Sequence, residues 1–293
     1  MRSEGILKTI NKDKPVIAWW SGGVTSAVTC KLCIDWYGIE NVRIIFIDTN
    51  NEDEDTYRFK TECENWYEKK IETLSNPDYL TIQSVWYEQL SLNTATGAAC
   101  SNKLKRVVRE RFERDNNFSF QAFGFDIDEM KRAKGMKLNN PNAKPIFPLI
   151  AELLTKKDCI KIVQKAKSLF LHIELPNAYY LGYLNNNCFK TGCVQGGIGY
   201  WQKIQKEFPE KFEAMAQVEK ELTELKGKPI TILKDQSKGG GLVFLKHNPK
   251  YPTMKDITML QGRPIQPLIE CNGFCGMDDI EQSETSKELN YAE

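Results

Sequence analysis

Two sets of residues in this chain have the types and spacing for chemistry. The first is Ser21-Gly22-Gly23-Val24-Thr25-Ser26, placed between a short apolar run, 16–20, and a segment with helical spacing. Glycine lets a backbone turn tightly and approach a ligand closely. A helix that starts directly after such a turn offers unpaired N–H groups and the positive end of its dipole. Ser21, Thr25 and Ser26 add hydroxyls, and the whole suits a phosphate or pyrophosphate. The plainer alternative is an ordinary strand–helix turn with a serine cap. The Gly-Lys-Ser/Thr ending of a Walker loop is absent. The second set is the cysteines. Cys100 lies in a small-residue stretch, Cys188 and Cys193 in an Asn- and Gly-rich segment at 185–199, and Cys271 and Cys275 in Glu270-Cys271-Asn272-Gly273-Phe274-Cys275-Gly276. Loop thiols among glycines have room to turn toward a common centre, and four of them satisfy an iron–sulfur cluster or tetrahedral zinc. Unrelated free thiols are the alternative.

The other cysteines read differently. Cys30 and Cys33 are three apart on one apolar helix face, which is core spacing rather than a redox pair. Cys63 and Cys159 also fall on apolar helical positions. The nine cysteines are an odd number in a long chain, unlike the dense set of a secreted disulfide scaffold. With only His172 and His247 available, a metal site must use thiolates or carboxylates.

These residues need elements to hold them. The first half alternates strand and helix signals: strands at 16–20, 42–47, 79–85 and 118–125, and helices at 26–37, 54–70 and 103–114. That order predicts an α/β fold with an open parallel sheet flanked by helices. After 145–148 the pattern shifts to helices at 149–171 and 200–226, with a weak strand pair at 230–233 and 242–245 around a glycine turn. The expected division is residues 1–155 for the nucleotide-binding α/β domain and 156–293 for a smaller, mostly helical region bearing cysteines. The 293 residues carry 40 Lys and Arg against 39 Asp and Glu, a net charge of +1, which excludes a strongly cationic coat but not a local basic groove. No apolar run approaches membrane-spanning length, so the expected location is cytoplasmic, with no membrane partner. Lys103, Lys105, Arg106, Arg109, Arg111 and Arg114 gather on one segment, and Tyr200 with Trp201 offers stacking surface, which makes nucleic acid a candidate partner.

The loop at residues 21–26 resembles the SGGxDS motif of the PP-loop ATP pyrophosphatases. Phe46-Ile47-Asp48-Thr49-Asn50 with Thr56-Tyr57, Cys100-Ser101-Asn102-Lys103-Leu104-Lys105, the stretch from Gly124 through Asp126, Asp128 and Glu129 to Arg132, and Phe147-Pro148-Leu149 resemble the phosphoadenylyl sulfate reductase-like branch of that superfamily. The resemblance implies that Ser21, Gly22, Gly23, Val24, Thr25 and Ser26 hold the phosphates of ATP, with Asp48, Thr49 and Gly124 lining the nucleotide site. It implies catalytic roles for Cys100, Lys103, Lys105, Asp128 and Arg132. Thr25 stands where the family has Asp, so Mg²⁺ would depend on Asp48, Asp126 or Asp128. Some relatives that insert sulfur into nucleic acid pair the Cys100-type residue with later cysteines around an iron–sulfur cluster. By that resemblance the ligands are Cys100, Cys188, Cys193 and Cys275, with Cys271 in reserve and zinc as the alternative metal. The implied activity is adenylation of an acceptor with release of pyrophosphate, then sulfur transfer, with an adenine nucleotide and either nucleic acid or a sulfur-donor protein as partners. A thiol-dependent reductase of an adenylyl sulfate and a non-catalytic nucleotide-binding module are the alternatives.

Overall fold

Five short segments pair into the central sheet, and their residues explain why. Val16–Trp20 (β1) and Val42–Ile47 (β2) are β-branched and aromatic runs buried on both faces, as parallel strands covered by helices must be. The computed structural model describes residues 14–94, 97–186, 188–260, 262–266 and 268. Along the chain, β1 is followed by Val24–Tyr37 (α1), β2, Glu54–Tyr67 (α2), Glu72–Leu74 (β3) and Ile82–Gln89 (α3). A small hairpin, Asn93–Thr94 (β4) with Gly97–Ala98 (β5), leads into a π-helical stretch at Ser101–Arg106 and then Val107–Asp115 (α4). Phe120–Ala122 (β6), Met130–Asn139 (α5), Pro145–Ile146 (β7), Pro148–Ala151 (α6) and Lys156–Ala166 (α7) complete the first part. The sheet order is β3-β2-β1-β6-β7 and every pairing is parallel. This is the expected open α/β sheet. Its order reverses beside β1, and that switch point is where open sheets hold ligands, at the carboxyl ends of the strands.

The rest of the chain adds Asn177–Tyr180 (α8), Ile198–Glu207 (α9), Pro209–Lys226 (α10) and a three-stranded sheet of Leu233–Asp235 (β8), Gly241–Phe244 (β9) and Lys255–Asp256 (β10). The expected strand pair at 230–233 and 242–245 forms antiparallel, with Leu233 opposite Val243. Three boundaries differ from expectation. Residues 79–85 are not a strand: Thr81 caps a helix by accepting the Ser84 amide at 3.2 Å, and Ile82, Val85 and Trp86 fall on its buried face. The run at 149–171 breaks between α6 and α7, where Leu153 takes a positive φ of 56° and Thr155 starts a new capping box. The run at 200–226 breaks before Pro209, which opens α10 at its first turn.

Three buried clusters form the core of the described residues, one of them Ile17, Trp19, Ile45, Phe112 and Phe123 on the opposite face of β1 and β2 from the first. The first joins β1, β2 and α1 with Cys30, Cys33, Cys63 and Phe59, and it takes in Leu149, Cys159, Val163 and Leu175. Helix α7 therefore packs on α1, although it lies beyond residue 155. The second core joins α3, the β4–β5 hairpin and Cys100 to α9, α10 and the small sheet. Among the described residues, no helix is long and apolar enough to cross a membrane.

Candidate functional site

The turn between β1 and α1 is built as a close-approach loop. Gly22 has φ +85°, a left-handed conformation that favours glycine, and a Cβ there would meet Thr56 at 2.9 Å. Gly23 caps α1 with no side chain. Inside the turn, the Ser26 hydroxyl donates to the Gly23 carbonyl at 2.8 Å and accepts the Ser21 amide at 3.0 Å. Gly124, just past β6, lies so near that a Cβ would come within 2.8 Å of the Ser26 amide nitrogen. Gly124 thus meets the turn through backbone. Thr25 and Ser26 are buried. Tyr179 from α8 reaches the same place: its hydroxyl accepts the Val24 amide at 3.3 Å, and the Lys156 ammonium lies 5.9 Å from its ring centroid. Neither Tyr179 nor Lys156 was legible as a loop neighbour, because both come from elements with no motif of their own.

At the end of β2 the two expected residues part company. Asp48 accepts the Tyr57 hydroxyl through both carboxylate oxygens, at 3.0 and 2.9 Å, and also the Asn50 amide at 2.8 Å. Thr49 points elsewhere: its hydroxyl donates to Glu52 at 3.0 Å and lies 3.9 Å from the Cys188 sulfur. Beside them Cys100, Ser101, Lys105, Cys188 and Cys193 line a cavity of about 20 Å³ with Thr49 and Ile82. The three thiols come from segments nearly a hundred residues apart in sequence, and all three are buried. Cys275 and Cys271 lie outside the described residues.

Glu52 is the site residue that sequence reasoning missed. It is almost fully buried, and its carboxylate stands 4.0 Å from the Lys105 ammonium. Burial raises its pKa, while Lys105 and the Thr49 hydroxyl lower it. Burial likewise pushes the Cys188 thiol well up; Glu52, Cys193 and Cys100 add to the rise, and Lys105 opposes it. In the sequence Glu52 opens a run of four acids, Glu52-Asp53-Glu54-Asp55, and nothing there distinguished it from a surface charge.

Cys193 is fixed by aromatic groups. Its amide donates to the Tyr200 hydroxyl and its carbonyl accepts from the Trp201 indole, both at 3.2 Å. Gly192 and Gly196 leave the room, since a Cβ on either would run into Trp201 or Tyr200. This corrects one expectation: Tyr200 and Trp201 are buried and hold the thiol segment, so they present no stacking surface. Three of the six cations in the basic segment also have acidic partners. Lys105 faces Glu52, the buried Arg109 pairs with Glu113, and Arg111 meets Asp78 at 2.8 Å. Arg132 pairs with Glu129 at 2.8 Å and lies over the Phe125 ring at 4.5 Å. Asp126 caps the turn that carries Asp128, which is exposed. Lys103 is half-buried, and its backbone carbonyl accepts from Asn76.

Three buried thiols round one cavity are the donor types that a thiolate-bound group takes. Among the described residues, no three Cys, His, Asp or Glu side chains converge on a single ion. The described part of the site therefore does not itself form a closed zinc or magnesium cage.

The glycine turn after β1 and the thiol pocket beside the end of β2 both lie at the carboxyl edge of the parallel sheet. The family model of the phosphoadenosine phosphosulfate reductase domain matches residues 15–138, which span the loop, Asp48, Cys100 and Arg132. Among solved structures, the chain is similar to the U34-tRNA thiolase NcsA from Methanococcus maripaludis with its 4Fe–4S cluster, at 17% identity and a TM-score of 0.37, covering 92% of this chain and 88% of that one. No curated protein matches the chain.

Proposed function

We propose that this chain is an ATP-using PP-loop enzyme that adenylates an acceptor and passes sulfur to it. One observation carries the reading: the phosphate loop and the three-thiol pocket lie at the same sheet edge, joined by the segment that runs from Asn186 to Cys193. The loop backbone at Ser21, Gly22, Gly23, Val24, Thr25 and Ser26 binds the phosphates at the head of α1. An acceptor oxygen attacks the α-phosphorus, and the bond to the β-phosphate breaks with pyrophosphate as leaving group. A sulfur nucleophile at hydrosulfide level then attacks the activated carbon, and AMP leaves with the electron pair of the broken C–O bond.

In this reading Cys100, Cys188 and Cys193 present sulfur or hold the group that does. Lys105 counters their negative charge as a point cation. Thr49 fixes Glu52 against that cation. Arg132 and Lys103 border the phosphates, and Asp48 lines the nucleotide pocket. Mg²⁺ arrives with the nucleotide, for which Asp126 and Asp128 are the nearest expected carboxylates. With Cys275 as fourth ligand, or Cys271 in its place, the thiols would hold an iron–sulfur cluster; when bound, such a cluster supplies a Lewis-acidic iron for the sulfur. Nucleic acid is the proposed acceptor class, and the α/β domain at 1–155 with the region at 156–293 is the proposed working division.

The test uses the full chain, purified anaerobically and given Mg-ATP, with water as a surrogate acceptor. The expected products are AMP and pyrophosphate, formed slowly. ADP and phosphate, or no binding of ATP, would overturn the reading. The family match over residues 15–138 favours one competing reaction, so adenylyl sulfate with a dithiol reductant is run in parallel. There a thiolate attacks sulfur, AMP leaves, and a second thiol releases sulfite as a disulfide forms. Sulfite that disappears in Cys188→Ser would transfer the assignment to the reductase.

A further inference from the structure

Asn186 is buried and makes two hydrogen bonds to segments far from it in sequence. Its side-chain amide donates to the Gly22 carbonyl at 3.0 Å and to the Thr56 hydroxyl at 3.1 Å. Two residues later, Cys188 enters the thiol pocket beside Thr49. The same segment is tied again after β2: Asn51 donates to the Thr191 hydroxyl at 2.8 Å, and the Lys190 amide reaches the Asn51 carbonyl at 3.4 Å.

The bond to Gly22 matters because of what shares its peptide plane. No peptide bond in the described chain is cis. In a planar trans peptide the carbonyl and the following N–H point in opposite directions. A donor that holds the Gly22 carbonyl therefore also sets the direction of the Gly23 N–H, on the side of the plane away from Asn186. A donor on the carbonyl further polarises that N–H. At Gly22 the backbone is unusually free, so the plane needs an external hold.

We propose that Asn186 is a positioning residue that couples the two halves of the site: it orients the Gly22–Gly23 peptide for phosphate and, through its chain position, makes the setting of Cys188 depend on what the loop holds. The proposal rests on the nucleotide reading above. Phosphate on the loop pulls on the Gly23 amide and hence on the plane that Asn186 grips, and Cys188 stands two positions further along the same chain. The occupant is the phosphate chain of a nucleoside triphosphate, and the coupled group is the Cys188 thiol.

The experiment measures Mg-ATP affinity and, on the same samples, the alkylation rate of Cys188 by iodoacetamide, read peptide by peptide. In the wild type, saturating Mg-ATP changes the Cys188 rate severalfold while Cys33 stays unreactive. In Asn186→Ala the affinity falls about five- to tenfold, the size of one or two lost hydrogen bonds. At saturating Mg-ATP its Cys188 rate no longer responds. Thr56→Val keeps the Gly22 bond and should preserve the response, which a merely structural role for Asn186 does not predict. If the alanine variant fails to fold, Asn186→Asp, of equal size and lacking the amide donor, replaces it. Unchanged affinity, or an intact Cys188 response in the Asn186 variant, overturns the coupling while leaving the nucleotide reading in place. A wild type that binds no Mg-ATP overturns the nucleotide reading and this inference together.

Discussion

The described cysteines fall into two groups, and their surroundings set them apart. Cys30, Cys33 and Cys63 belong to the first core, together with Cys159. For Cys30, burial and its two neighbouring thiols all act in one direction, raising the pKa; the Cys63 thiol is pushed up to about 12. Cys100, Cys188 and Cys193 line a cavity in the second part, and there burial is opposed by the Lys105 ammonium beside Cys188. The first group packs as small hydrophobes do. The second carries a buried ion pair, a buried threonine and a space. In both groups burial is the largest influence and raises the thiol, so what sets the second apart is the ion pair and the space beside it.

The largest expected effect comes from breaking the ion pair that distinguishes the second group. Lys105→Met leaves the Glu52 carboxylate buried without its cation, a loss on the order of 3 kcal/mol in unfolding free energy. Adding Glu52→Gln removes the stranded charge and should recover a large part of it. Chemical denaturation of both variants and of Glu52→Gln alone completes the cycle. A double variant no more stable than Lys105→Met would show that the pair is not what holds this pocket.

The second core also contains a buried acid that has no cation beside it among the described residues, which sharpens the contrast. The Glu219 carboxylate on α10 accepts the Ile232 amide at 2.6 Å and the Leu245 amide at 2.7 Å, and so fastens the small sheet to the helix. Burial pushes its pKa up from 4.5 to about 8, against the two amides that lower it. Between those values the folded chain keeps a proton that the unfolded chain has released. Its contribution to stability therefore falls as pH rises from about 4.5 to 8 and is flat beyond. Glu219→Gln cannot titrate, and it turns an NH₂ group toward one of the two amides. The variant should lose about 1–3 kcal/mol at pH 5, and the gap to wild type should narrow by pH 9. Denaturation midpoints that run parallel across this range would sink the assignment.

How much of this was legible in the sequence follows from the range of the interactions. The strand–turn–helix at residues 16–37 was readable because its strand, glycine turn and helix are consecutive and carry their own instructions. The parallel sheet followed from the same local alternation. The stretch at 79–85 misled because it is short and rich in β-forming residues, whereas Tyr79, Ile82, Val85 and Trp86 fall at helical spacing and the Thr81 cap starts a helix. The thiol set was readable as types but not as a place. Its position depends on Glu52, Asn186 and Tyr200, whose partners lie far off in sequence, and no spacing encodes them. The aromatic pair Tyr200–Trp201 looked like a surface because chemistry alone does not tell a stacking face from a buried clamp.

The smallest effect separates two buried threonines. The Thr49 hydroxyl donates to Glu52, whereas the Thr29 hydroxyl, fully buried inside α1, has no hydrogen-bond partner. Valine has nearly the same shape as threonine and lacks the hydroxyl. Thr49→Val therefore removes a donor from a buried carboxylate and should cost about 1 kcal/mol. Thr29→Val removes a buried polar group that nothing satisfies, so it should leave stability unchanged or raise it by a fraction of that amount. Urea denaturation with unchanged slopes reads both differences. Equal losses in the two variants would mean that side-chain packing, rather than hydrogen-bond partnership, governs these sites, and the distinction between the dry core and the polar pocket would then fail at its finest level.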